Sequence, residues 1–590
     1  MMELNKVGRP RNVGWARAAA LLYGDWGTSK AYVIGIGFAL LGYTALPHFL
    51  AVAALTAIVG FNYIWICKYF PTGGGVYSSA QKLSQKLAVI GALMLVADYI
   101  ITASLSCFEA FHYFGFESHE AQRFAALAIF GVGFLNFFGP KHTGGIAIWL
   151  AAPTLLVVIV LLIAGLFHLD EIRIEPVQGG FGHNWVAFVG IILALSGVEA
   201  IASTTGVMRL DKGSTPEKPS VHRTSKIAIT IVLIEVAVAT ALLGLFALAL
   251  PKGAMLKPEG LLRYMGELWI GPWFGWIVGV VFGLLLLSAV NTAIGGLIAI
   301  LYLLAHDGEL PRPFTQLNRF GVPWVPLIVA TVAPVIVLES ASPEHGVHYL
   351  ASLYAIGVVG AICINLFSCG VNRKLPMKRW ERAVMLMTFL ILSAVWVTIA
   401  ITKGSATLFM ILVLAAGFLL RYVARKQGVE VSVEAQPGLE MGLSSAAAEK
   451  AEAAQVIEGG VKILVAARGM TPAIQFALDE AKLRGASLFV LYIKQVAVTL
   501  DIGGRWQDDA YAVAFFNQVK GAADGIPIRT LYSQSSDPSE TILDVASTLG
   551  VDYLVMGSTN RAAIINLIQG NVITQVARHL PASIKLIVVA

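Results

Sequence analysis

The sequence predicts two structural classes in one chain: an all-α polytopic membrane domain, then a soluble α/β domain with a mostly parallel sheet. Three observations carry this. Of 590 residues, 57% are hydrophobic and only 13% charged, where soluble proteins average roughly a quarter charged. Apolar runs of about 20 residues, enough to cross a hydrocarbon core, recur up to about residue 423. Beyond Val461 the pattern changes to short apolar strands alternating with amphipathic helices.

Twelve apolar runs are read, over approximately 15–42, 47–70, 86–113, 124–140, 144–168, 184–207, 227–250, 269–305, 323–340, 347–370, 381–402 and 405–423. The eighth is long enough to be tilted or broken. Residues 1–14 form a basic N-terminal segment with no short apolar region and small-residue cleavage site behind it, so no removable signal peptide is read. Basic residues return in alternate loops, among them Lys68, Lys82, Arg209, Lys212, Arg223, Arg373 and Arg379, whereas intervening loops such as "FESHEAQ" are more acidic. By the positive-inside rule both termini are cytoplasmic and the protein sits in a plasma membrane, the inner membrane of a prokaryote. The net charge of +6 is then a topology signal and implies no nucleic-acid partner. Cys67, Cys107, Cys363 and Cys369 lie in or beside apolar spans without CxxC or Cys/His spacing, so neither a disulfide framework nor a structural or transition-metal site is expected. The chain also lacks a P-loop and any Ser/His/Asp motif context, and is not read as an enzyme.

Residues 424–460, "KQGVEVSVEAQPGLEMGLSSAAAEKAEAAQVIEGG" at their centre, read as a cytoplasmic linker between the transport domain at 15–423 and the α/β domain at 461–590. Within the latter, "VKILVAA", "SDPSETILDVASTLGVDYLVMGS" and "GNVITQVARHLPASIKLIVVA" resemble the universal stress protein family along nearly the whole domain. Members that bind nucleotide cradle phosphates in a glycine-rich turn at a helix N-terminus. Gly557 and Gly570 stand where that turn wants glycines, but Asn560 and Asn571 replace a glycine and a Ser/Thr, and Arg468 replaces an aspartate. A nucleotide is one reading; a dimerisation or regulatory module with another ligand or none is the other. No cofactor is required.

The membrane part holds the chemistry. Asp25 in "ALLYGDWGTSKAYVIG" is an ionisable group in an apolar span, which marks a functional site with a partner to be named. Gly24, Gly27, Thr28 and Ser29 around it supply the means of breaking a helix beside the carboxylate. Lys30, five residues on, would align poorly with Asp25 on an unbroken helix. In the sixth span "LSGVEAIASTTGVM" again places glycines, hydroxyls and Glu199 in an apolar run; two interrupted spans in corresponding halves point to an inverted-repeat transporter with a midplane site. The third span adds Asp98, with Thr102 and Ser106 at helical spacing on one face.

"YGDWGTSKAYV" resembles the opening motif of Kup-type potassium uptake proteins. Over about 15–425, "YFPTGGGVYSSA", "VADYIITASLS", "LSGVEAI", "LLSAVNTAIGGL" and "LYAIGVVGAICINLFSCG" resemble, in order, the amino acid/polyamine/organocation superfamily, especially its KimA-type potassium importers. The resemblance implies a LeuT-like fold of five plus five spans related by inversion, with two further helices. It implies a proton-coupled cation symporter in which Asp25, Tyr32, Asp98, Thr102, Ser106, Ser196 and Tyr354 line the cation and proton pathway, and a homodimer contacting through the C-terminal domains. Asp25, Asp98 and Glu199 are all candidates to carry the coupling proton. Lys30 departs from the motif: its ammonium either fills the space of a potassium ion or snorkels to a water-filled vestibule. In the first case the cargo would be an amino acid or related organic solute, with Lys30 exchanging protons with the carboxylates. A potassium importer, an organic-solute permease and a non-transporting solute sensor are the three readings.

Overall fold

The computed structural model describes residues 11–426 and 460–589, apart from 12, 74, 140–142, 216–217, 257, 319, 344–345, 497–505, 507–508, 524, 536, 559–571 and 582. The basic residues before Arg11, nearly all of the 424–460 linker, Asn560, Gly570 and Asn571 thus lie outside the described residues. Each apolar run read in the sequence is occupied by helix. Among the described residues, eight helices are long and apolar enough to cross a membrane, or nine if Phe181–Gly190 and Ile192–Val207, bent by 49°, count as one span. The shortfall from twelve has local causes. The first run is divided into Trp15–Trp26 and Ser29–Leu41, each about 20 Å long at 1.5 Å per residue and too short alone. The fourth, Ser118–Asn136, begins with the polar "SHEAQR", and the ninth, Trp324–Glu339, has only 16 residues and an internal Pro334. The eighth run is an unbroken helix, Pro272–His306, about 52 Å long; Trp269 belongs instead to a separate short helix, Leu261–Trp269.

Burial identifies the centre of the bundle. The apolar windows of the third span (Gln85–Phe114) and tenth span (Gly346–Val371) are 89% and 83% buried inside the protein, against 28% and 22% for the eleventh (Arg379–Thr402) and twelfth (Gly404–Lys426). The third and tenth are therefore enclosed by protein, and the last two present most of their surface outward. In a helix apolar all round, that outward surface suits lipid.

Small residues let the central spans touch backbone to backbone. Ser196 is extended and Gly197 has φ +94°, so the sixth run turns sharply where it meets the first. A Cβ on Gly197 would stand 2.5 Å from the Trp26 amide nitrogen and 2.8 Å from the Asp25 carbonyl carbon. Only glycine satisfies both the left-handed backbone and that approach. Gly357 of the tenth span does the same for the third, where a Cβ would lie 3.0 Å from the Asp98 amide nitrogen. These two glycines bring four spans to one place.

In the C-terminal domain, strands β1 (Lys462–Ala466), β2 (Ser487–Gln495), β3 (Ile528–Ser535), β4 (Tyr553–Gly557) and β5 (Lys585–Val589) form one parallel sheet in the order β3-β2-β1-β4-β5. Alternate residues face two cores. Ile463, Val465, Leu488 and Val490 pack with the helix Pro472–Arg484 and with Phe515 and Phe516 on one side. Leu464, Phe489, Leu491 and Leu554 pack with Ile542, Val545 and Val576 on the other. This is the double-faced burial a parallel sheet needs. Val496, just after β2, is buried against Ala299 and Tyr302 of the eighth span.

Gly197→Ala is expected to destabilise the membrane domain by roughly 1–3 kcal/mol, since strain and a backbone clash coincide there. Gly131→Ala, where a Cβ meets nothing within 4 Å, should leave the thermal unfolding midpoint in detergent unchanged or slightly raised.

Candidate functional site

The first span is interrupted with little unwinding. Gly27 and Thr28 keep right-handed helical dihedrals, but Thr28 N–H donates to the Asp25 carbonyl at 3.3 Å and Ala31 N–H to that of Thr28 at 2.9 Å, a tightened turn. The Thr28 hydroxyl donates to the Asp25 carbonyl and the Ser29 hydroxyl to that of Trp26 at 2.8 Å. Such back-bonding loosens and bends a helix. The Asp25 and Trp26 carbonyls at the break are thus occupied by the protein's own hydroxyls.

Around this joint the structure gathers three carboxyl groups. Asp25, Asp98 and Glu199 are 5%, 1% and 8% exposed, and each interacts electrostatically with the others. Asp98 and Glu199 lie close enough to feel each other's charge strongly. Glu199 also accepts from the Gly197 N–H at 3.1 Å. Tyr32 and Tyr354 are buried within electrostatic reach of Asp25 and Asp98. The Thr102 hydroxyl donates to the Asp98 carbonyl at 2.8 Å. Ser106 is buried one helical turn further along. Two oxygens in the cluster, Asp98 Oδ1 and Ser196 Oγ, are buried without a hydrogen-bond partner, a costly state that a ligand would relieve.

Lys30 takes neither position considered from the sequence. It is wholly buried and paired with Glu235 of the seventh span (His222–Ala247), its Nζ 2.7 Å from Oε1 and 2.8 Å from Oε2. The ammonium therefore neither fills the space among the carboxylates nor reaches toward solvent. Glu235 is the residue sequence reasoning missed. As the lone carboxylate in "VLIEVAV" it carried a signal, since a buried ammonium requires a counter-ion somewhere in the bundle. Glu109 was missed as well; it is buried in the third span and accepts from the Gly260 N–H at 2.8 Å.

The sequence profile of the family described as amino acid permease matches residues 13–426. The chain belongs to this family. It is a multi-pass integral membrane protein of the amino acid/polyamine/organocation type, and a universal stress protein family profile matches residues 461–588, the parallel-sheet domain. A relative among characterised proteins is "Potassium transporter KimA" of Bacillus subtilis (strain 168), 25% identical over 504 residues, which span 79% of this chain and 77% of that protein. In the C-terminal domain Gly557 ends β4, while Arg468, just beyond β1, donates to the Gln495 side chain at 3.2 Å.

Ser196→Ala tests whether the unpartnered hydroxyl serves a ligand. Removing a buried hydroxyl without a partner is expected to keep or slightly raise the melting temperature of the ligand-free transporter. The rise in melting temperature on adding cargo should shrink, with affinity about tenfold weaker for the lost oxygen.

Proposed function

We propose that this permease is a proton-coupled potassium importer of LeuT-like architecture, with a midplane site formed by the interrupted first and sixth spans together with the third. The observation that carries it is the convergence of Asp25, Asp98 and Glu199 with hydroxyls of Ser196, Tyr32 and Tyr354, while the Lys30 ammonium of the same span is neutralised by Glu235. Several carboxylates plus neutral oxygens form a hard-oxygen site that attracts a cation and repels an anion. The relative's description as a potassium transporter supports the same cargo.

The competing cargo is an amino acid, whose carboxylate would need free backbone N–H groups at a break. Here the Gly27 N–H donates to the Tyr23 carbonyl at 2.9 Å, the Thr28 N–H to that of Asp25, and the Gly197 N–H to Glu199. Those three donors are taken, and a carboxylate cargo would also meet the repulsion of Asp25, which favours the inorganic cation. In this reading one carboxyl group of the cluster holds the coupling proton while its ionised neighbours hold the cation, so the two enter and leave the buried site together. The two termini are assigned to the cytoplasm, in a prokaryotic inner membrane. The sheet domain regulates or dimerises the transporter, and can do so only by binding one conformation better than another.

In a bacterium lacking its own potassium uptake, the wild-type protein should restore growth at limiting potassium and accumulate radioactive rubidium, faster when the medium is acidified. Asp25→Asn at equal membrane abundance should cut that uptake by about tenfold or more. Accumulation of an amino acid and not rubidium by the wild type would overturn the cargo assignment. Cation binding without accumulation would make the protein a sensor.

A further inference from the structure

Lys30 and Glu235 form an ion pair beside a site that gathers carboxylates, and the placement of the pair suggests its purpose. Tyr23 belongs to the first half of the interrupted span and Lys30 to the second, with Gly27 and Thr28 between. Seven residues apart, they share a face about two turns on. The Tyr23 hydroxyl donates to Glu235 Oε1 at 3.0 Å, and Lys30 Nζ donates to both Glu235 oxygens and to the Tyr23 hydroxyl at 3.1 Å. The ammonium also lies 4.6 Å from the centre of the Tyr23 ring. That ring covers the joint itself, since a Cβ on Gly27 would stand 2.8 Å from it. The three side chains close a ring of contacts that ties each half of the broken helix to the other and both to the seventh span.

A helix loosened by back-bonding hydroxyls loses part of the ladder that keeps its halves in line, so their angle must be set from outside. Asp25 sits inside this joint, two residues after Tyr23 and five before Lys30. Its approach to the other carboxylates therefore depends on that angle. A buried pair with both partners present is electrically neutral and directional, whereas loss of one partner strands a charge. Pairing thus lets Lys30 act as a rigid strut without adding positive charge to the site.

We propose that Tyr23, Lys30 and Glu235 are positioning residues, a brace across the break of the first span that fixes Asp25 against the site without touching the cargo. Its consequence for transport rests on the cation reading of the site; the brace itself does not.

The test measures the joint directly. Spin labels on Trp15→Cys and Leu40→Cys flank it at positions each 49% exposed, and the native cysteines are buried. The labels would lie about 38 Å apart along one straight helix, within range of pulsed electron resonance. The full-length protein in nanodiscs should give one narrow distance distribution. Lys30→Met/Glu235→Met, which removes both charges together, should broaden it or add a second distance, and Lys30→Arg, which keeps the pair with Glu235, should retain most of the narrow peak. In parallel the apparent KM for rubidium should rise about tenfold in the double variant with Vmax changed less, as a misplaced ligand predicts. An unchanged distance distribution in the double variant overturns the brace. If the wild type takes up no rubidium, the cation reading fails while the distance measurement still decides the brace. Should the double variant not insert, Tyr23→Phe carries the same two readouts, and an unchanged distribution in that variant overturns the proposal equally.

Discussion

The membrane domain depends on one close approach: the turn at Gly197 lies against the backbone of Asp25 and Trp26 with no room for a side chain. Two interrupted segments in contact at their interruptions bring Asp25 from one and Ser196 and Glu199 from the other to a shared point. Gly357 performs the matching service for Asp98. Without these contacts the three carboxyl groups, which come from three different spans, would not meet, and each would face apolar neighbours alone. The close packing thus assembles the cluster of oxygens at one point in the bundle.

Charge balance then divides the first span into two faces. Toward Asp98 and Glu199 it presents Asp25 and Tyr32, and toward the seventh span it presents Tyr23 and Lys30. Lys30 is buried as deeply as the carboxylates, yet its charge is cancelled locally by Glu235, whose side chain is 15% exposed. Among the described residues the carboxyl cluster has no such ion-pair partner, and two of its oxygens lack a hydrogen bond. One face is satisfied within the protein, and the other still lacks hydrogen bonds that a ligand could supply.

Much of this was legible in the sequence, and the limits have physical causes. Apolar run length located the membrane helices, but a hydropathy window cannot see where a ladder of hydrogen bonds breaks, so the divided first span and the short ninth fall below the length a crossing requires. The glycines and hydroxyls around Asp25 and Glu199 marked both interruptions, because those residue types loosen helices wherever they occur. That Gly197 meets Trp26, or that Lys30 meets Glu235 some 205 residues away, is a matter of tertiary packing, which local periodicity does not encode. Thr102, Asp98 and Ser106 were readable as one helical stripe; the use of the Thr102 hydroxyl on the Asp98 carbonyl was not. In the sheet domain the alternation of strand and helix was plain, whereas the order β3-β2-β1-β4-β5 depends on crossovers that spacing alone leaves open.

The central claim is that the carboxyl cluster is a monovalent-cation site, and the most direct measurement is anomalous scattering from thallium, a potassium surrogate, in crystals of the full-length transporter. The account predicts a peak within coordination distance of the Asp25 and Asp98 carboxylates and the Ser196 hydroxyl, displaced by excess potassium. A peak confined to the protein surface, or none among these residues at saturating thallium, would contradict it.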